Sequence, residues 1–180
     1  KGVTGALQLD AGTVVLNGRE VLFSKPAEAQ RACIRTVYQE IDLLPNLSVA
    51  ENIMLGREPR RWGGIDWRAM RVSASAVLAD LGLDVDPTSL LGSHSLAVQQ
   101  LIAIARAISS DVRVLVLDEP TSSLDLDEVA ELFRIIRELK ERGVAILFVS
   151  HFLDQVHEIC DRVTVLRNGR LVGEYLTKEL

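Results

Sequence analysis

Two kinds of apolar spacing organise the chain. Val114–Leu117 and Val144–Val149 are short, unbroken, β-branched-rich runs, the pattern of strands within a parallel sheet. Between them Val129, Leu132, Phe133, Ile136 and Leu139 recur at helical spacing from about Asp127 to Arg142, and Gly143 suits the C-terminal cap. Strand, helix and strand in that order predict a parallel βαβ unit. Upstream, Pro26–Cys33 reads as a short helix and Ile34–Tyr38 as a further strand. Ser48, with Glu51 three residues on, opens a helix through a capping box. Trp67–Leu83 is predicted helical on Met70, Ala74, Val77 and Leu81, and Ser95 precedes a helix through Ile108. Gly12–Phe23 turns on Asn17-Gly18, with Val21–Phe23 as its second strand, and Val163–Tyr175 turns on Asn168-Gly169. Asn-Gly is a strong hairpin signal because both residues tolerate positive φ. Gly56–Asp66 shifts to Arg, Pro, Trp and Gly, as at a subdomain boundary, and Val85–His94 reads as a loop.

Composition narrows the function classes. With 180 residues, 48% apolar and 25% charged, the chain is one domain's worth of globular protein. A net charge of −5, with basic residues scattered apart from Arg57–Arg61, argues against a nucleic-acid binder. Arg60-Arg61 beside Trp62 is the one basic-aromatic spot, and a solvated loop is the favoured reading of it. No apolar run approaches the roughly 20 residues needed to span a bilayer. Cys33 and Cys160 form neither a metal pattern nor a disulfide framework, which points to a reducing compartment.

The chemistry concentrates where the first apolar run ends. Asp118-Glu119 sits at the carboxyl edge of the predicted strand, the edge at which open α/β sheets bind ligands. One carboxylate there can hold a Mg²⁺-bound water, and the next can orient or deprotonate the water attacking a γ-phosphate. Taken alone, Asp-Glu after an apolar run reads as a plain strand end. The longer run Val112–Asp125 (VRVLVLDEPTSSLD), with Ser150-His151 ending the second apolar strand, carries more.

That run resembles the Walker B, D-loop and switch-histidine series of ATP-binding-cassette (ABC) ATPases. Tyr38–Ile53 (YQEIDLLPNLSVAENI) followed by Leu55-Gly56-Arg57-Glu58 resembles the first ATPase half of monosaccharide importers of the ribose, xylose and galactose type. The resemblance implies an α/β, P-loop NTPase-like ABC ATPase core, N-terminally incomplete, with an inserted helical subdomain and peripheral β-hairpins. The core would be residues 1–57 and 111–180, and the subdomain 58–110. It further implies ATP and Mg²⁺ as cofactors. Asp118 would hold Mg²⁺ through water, Glu119 would be the general base, and His151 would contact the γ-phosphate. Gln39 would reach Mg²⁺ or the attacking water, and Ser123 and Asp125 would cross to an opposing ATPase unit in the D-loop. Ser95 would meet the partner's γ-phosphate. As residues alone, His151 could be structural, Gln39 a bland surface residue, and Ser95 and Asp125 ordinary helix caps.

Two departures qualify the likeness. The signature Leu-Ser-Gly-Gly-Gln reads His94-Ser95-Leu96-Ala97-Val98, so Ala97 restricts backbone approach and Val98 removes a polar contact. No Gly-x-x-x-x-Gly-Lys-Ser/Thr occurs. Lys1–Gly5 fits the last turn of the helix that such a phosphate loop would start, so a truncated piece, inactive alone, is expected. The resemblance also implies partners: transmembrane permease subunits, a second ATPase half or dimer partner, and indirectly a periplasmic or extracellular sugar-binding protein, with no nucleic acid. It implies a place at the cytoplasmic face of the membrane. Rival readings are a soluble non-transport ABC ATPase, which a coiled-coil insertion or basic arms would favour, and a non-catalytic transporter-binding module.

Overall fold

The computed structural model describes residues 2–39 and 42–179, so Lys1 of the expected helix turn and Glu40-Ile41 of the importer-like segment lie outside the described residues. Gly2–Gly5 forms a turn closed by the Gly5 N–H donating to the Gly2 carbonyl at 3.1 Å. The first hairpin pairs β1 (Val14–Leu16) with β2 (Arg19–Val21) around Asn17-Gly18, at φ 52° and 73°. A two-residue turn sets Arg19 opposite Leu16, so the second strand begins two residues before the expected Val21. Helix α1 (Pro26–Arg31) starts on Pro26, whose fixed φ suits a first turn, and stops short of Cys33, which adopts φ 62°. Strand β3 (Ile34–Val37) follows, then α2 (Val49–Met54) with its predicted capping box. Ser48 Oγ accepts the Glu51 N–H at 3.3 Å, and Glu51 Oε2 accepts the Ser48 N–H at 2.8 Å.

The stretch read as a boundary holds a further hairpin, β4 (Arg60–Arg61) with β5 (Gly64–Ile65), turning on Trp62-Gly63. Helix α3 (Trp67–Asp80) is capped by Asp66, which accepts the Ala69 N–H. Its buried row is Met70, Ala74, Leu78 and Leu81. At 3.6 residues per turn Leu78 takes the position that the sequence reading gave to Val77. Helix α4 (Leu96–Ile108) is largely buried.

The last third holds β6 (Val114–Asp118), α5 (Leu126–Glu141), β7 (Ala145–Val149), α6 (Leu153–Ile159) and the hairpin β8 (Arg162–Arg167) with β9 (Arg170–Leu176). A three-stranded parallel sheet in the order β3-β6-β7 forms the centre, with Val37 opposite Leu117 and Asp118 opposite Val149. Leu115 and Leu117 on the middle strand are fully buried, and Phe133 of α5 meets Phe148 of β7 edge-to-face at 6.0 Å between ring centres. A single core joins the sheet, α5 and α2–α4. No described helix is long and apolar enough to cross a membrane.

Candidate active site at the carboxyl ends of three strands

Parallel register brings three chain segments to one sheet edge. Gln39 lies two residues beyond β3, Asp118-Glu119 ends β6, and Ser150-His151 follows β7. Glu119 leaves its strand at φ +48°, held there as its N–H donates to the Val149 carbonyl at 2.9 Å. A non-glycine residue in that left-handed region costs about 1–2 kcal/mol, a strain that packed surroundings must hold in place. The result is that successive carboxylates do not simply alternate across the sheet. Glu119 turns toward the neighbouring strand, where its Oε1 lies 3.3 Å from His151 Nδ1. The His151 ring rests on Phe152, 4.1 Å between centres. Thr121, buried, fixes the chain just beyond, its hydroxyl donating to Gln155 Oε1 on α6 at 2.6 Å.

Asp118 is half-buried and enters no ion pair among the described residues. The same residues contain no group of three or more His, Cys, Asp and Glu able to enclose a metal. Mg²⁺ fits such a donor set, since it takes hard oxygens, is usually held by one or two carboxylates, and completes its shell with phosphate and water. Asp118 and the amide oxygen of Gln39 are the donors of that kind here.

The other candidate residues sit at helix starts. Ser95 is the N-cap of α4, accepting the Val98 N–H at 3.3 Å, and Asp125 caps α5 in a reciprocal box with Glu128. Ser123 is exposed in the turn between β6 and α5. Among the described residues no hydrogen bond or ion pair joins Ser95, Ser123 or Asp125 to the strand-end group. Ser95 is tied to the sheet edge indirectly, through main chain. The segment after Gln39 runs alongside the segment before Ser95. Val49 and Ala50 donate to the Ser89 and Pro87 carbonyls at 3.0 and 2.9 Å, while Leu91 and Gly92 donate to Leu47 and Pro45 at 3.0 Å each. A Cβ on Gly92 would stand 3.1 Å from both the Pro45 carbonyl oxygen and Pro45 Cβ, so a side chain there would need Pro45 to shift by a few tenths of an ångström.

Beyond Gln39 a cleft of about 400 Å³ opens, lined by Tyr38, Leu55 and the guanidinium groups of Arg35, Arg57 and Arg106. Burial, then the charges of Arg35 and Arg106, lower the pKa of Arg57 from its ordinary value. The opposing charge is slight, since Asp42, highly exposed, stands 3.9 Å from Arg106.

Against known proteins, the model of the ABC transporter family matches residues 1–122. The chain belongs to that family. It is 52% identical over 180 residues to the fructose import ATP-binding protein FruK of Bifidobacterium longum, covering 99% of this chain and 35% of that protein. To the galactofuranose transporter ATP-binding protein YtfR of Escherichia coli K12 it is 48% identical, covering 100% and 36%. The chain thus spans about a third of the length of these relatives. Its fold is that of ABC cassettes. A nucleotide-free ATP-binding cassette from an ABC transporter superposes with TM-score 0.83 at 25% identity, covering 97% of this chain and 73% of that one. The ADP conformation of the cassette MJ1267 gives 0.84, covering 99% and 74%.

The ABC chain also uses residues that its sequence did not advertise. Asn52, fully buried in α2, accepts the Leu44 N–H at 2.8 Å and donates to the Leu44 and Ser48 carbonyls at 2.9 and 3.0 Å. It pins the segment leading away from Gln39. An asparagine next to Ile53 and one helical turn after Val49, on the apolar side of α2, was the available signal. His94, standing where the ABC signature has leucine, shares a hydrogen bond of 2.7 Å with Ser89 Oγ and so has a structural partner. Thr121 gave no such signal, because Gln155 lies 34 residues away.

Proposed function

We propose that this chain carries the hydrolytic side of an ATPase that drives monosaccharide import. It would work at the cytoplasmic face of the membrane with transmembrane permease subunits and a second ATPase unit, fed by an extracytoplasmic sugar-binding protein. The observation that carries the proposal is the Glu119–His151 pair at the edge where Asp118 and Gln39 also end. The import functions named for the fructose and galactofuranose relatives support the substrate class. Asp118 and Gln39 would hold Mg²⁺. When bound with ATP, that ion supplies charge neutralisation at the phosphates. Glu119 is the base, and its carboxylate accepts the proton of the attacking water. With Nδ1 turned to Glu119, His151 keeps Nε2 for a γ-phosphate oxygen and orients the carboxylate that takes the proton. Ser95, at the N-terminus of α4, would face the partner unit's ATP, and Ser123 and Asp125 would cross to that unit. Residues 58–110 would move as a helical subdomain. The arginine-lined cleft beside Asp42 would receive a cytoplasmic helix of the permease.

In the full-length protein, Glu119→Gln should keep ATP affinity while lowering turnover roughly 10²-fold or more. His151→Ala should lower turnover as well. Hydrolysis at the unmodified rate in either variant overturns the role given to that residue. In proteoliposomes with the permease, Gln39→Ala should reduce sugar taken up per ATP more than it weakens ATP binding, and an unchanged ratio refutes the coupling assignment.

A further inference from the structure

Among the described residues, three hairpins turn on two residues, and each places both at positive φ. Two of them use the residues such turns favour, Asn17-Gly18 at 52° and 73° and Asn168-Gly169 at 51° and 72°. The remaining one puts Trp62 at φ 56° ahead of Gly63 at 85°. A bulky side chain at that position is a genuine outlier, strained relative to asparagine. Folding gains nothing in return, because Trp62 is 94% exposed. The same chain therefore solves this turn twice with asparagine and once with a tryptophan held out in solvent.

The surroundings say what the indole is held out toward. Trp67, the chain's other tryptophan, is half-exposed five residues on, and Ile65 and Val72 are exposed nearby. Arg60, Arg61, Arg68 and Arg71 are exposed and enter no ion pair among the described residues. Residues 57–71 hold five arginines against Glu58 and Asp66, a local charge of +3 (5 − 2) in a chain of −5. Two exposed tryptophans in a short arginine-rich segment suit a bilayer interface, where the amphipathic indole sits at headgroup level and the guanidinium groups meet anionic lipid. A nucleic-acid partner fits less well, because the remainder of the chain carries −8 (−5 − 3) and would repel a phosphate backbone.

We infer that the Arg60–Ile65 hairpin is a membrane-surface contact, with Trp62 seated among anionic headgroups and Arg60 and Arg61 on their phosphates. The inference uses the family's association with membranes but not the assignment of Asp118, Glu119 or His151, so its failure leaves that reading untouched.

The test is binding of the purified chain to vesicles of phosphatidylglycerol and phosphatidylcholine in equal parts, against phosphatidylcholine alone. Binding should require the anionic lipid, weaken with salt, and shift the emission of a Trp67→Phe variant to the blue. Trp62→Asn restores the residue used in the other two turns. It should melt no lower than the parent yet bind anionic vesicles about tenfold more weakly. Arg60→Ala with Arg61→Ala should cost about 25-fold, at about fivefold per arginine. The inference is overturned by equal binding to neutral vesicles, by absent binding, or by Trp62→Asn binding as the parent does. Preferential capture by a single-stranded RNA 20-mer, displaced from the chain by no vesicle, overturns it in favour of nucleic acid.

Discussion

Removing the carboxamide of Asn52 tests how the segment beyond Gln39 is held. Of its four side-chain hydrogen bonds the one to the Leu47 carbonyl is long, at 3.5 Å, and the other three run from 2.8 to 3.0 Å in a fully buried site. At about 1 kcal/mol net each, they set a ceiling of about 3 kcal/mol. Two of the acceptors keep another donor, since the Leu44 carbonyl also takes the Leu47 N–H and the Ser48 carbonyl the Asn52 main-chain N–H. Only the Leu44 N–H loses its partner outright, and Leu44 is exposed enough for water to reach it. Asn52→Ala should therefore cost about 2–3 kcal/mol, read as a lowered urea midpoint at unchanged slope. Asn52→Asp keeps the acceptor for Leu44 but sets a carboxylate against two carbonyl oxygens away from water. Its carboxyl should titrate above the unfolded value, so the folded form binds the extra proton and the variant gains stability as pH falls from 8 to 5. A loss under about 0.5 kcal/mol for Asn52→Ala, or an Asn52→Asp variant as stable as Asn52→Ala with no pH dependence, refutes the reasoning.

Two further outcomes are expected. Asp125→Asn keeps a competent N-cap whereas Asp125→Ala does not, so thermal melts should show a loss of about 1 kcal/mol for alanine alone. Equal losses would deny the cap its role, and a fall in ATP turnover for asparagine without a stability loss would mark Asp125 as part of the composite site. Cys160 is half-buried, and burial, then the Asp161 carboxylate, push its thiol up despite Lys140. Less thiolate is present at a given pH, so iodoacetamide should modify Cys160 more slowly than a small free thiol at pH 8 and close the gap as pH rises. Equal rates at pH 8, followed by mass spectrometry, would contradict this.

What the sequence made legible follows from where the physics is local. Strands β6 and β7 and helix α5 were read correctly because apolar period and caps lie within a few residues of each other. The Ser48–Glu51 box was legible for the same reason. Hairpin β4–β5 was missed because strands of two residues, Arg60-Arg61 and Gly64-Ile65, are too short to show alternation, and α6 because its apolar positions Leu153, Val156 and Ile159 span only seven residues. At the site, Asp118, Glu119 and His151 could be named from strand ends, but the left-handed turn that aims Glu119 at His151 depends on the Val149 carbonyl, 30 residues away. Side-chain pairs such as Thr121 with Gln155 leave no trace in a one-dimensional pattern.

The run of main-chain bonds from Pro45–Ala50 to Pro87–Gly92 has a consequence for how this loop can change over time. Amide and carbonyl groups are the same whatever side chain they carry, so the alignment of the segment before Ser95 is indifferent to most substitutions in it. Side chains at 97 and 98 can differ from the signature pattern without removing any of these bonds, because the atoms that hold the register are main-chain atoms. The positions intolerant of change are instead those whose main chain does the holding. Proline at 49, 50 or 91 would delete a donor, and any side chain at 92 would push against Pro45. A motif judged by its letters can thus look altered here while the main-chain bonds before Ser95 do not depend on those letters.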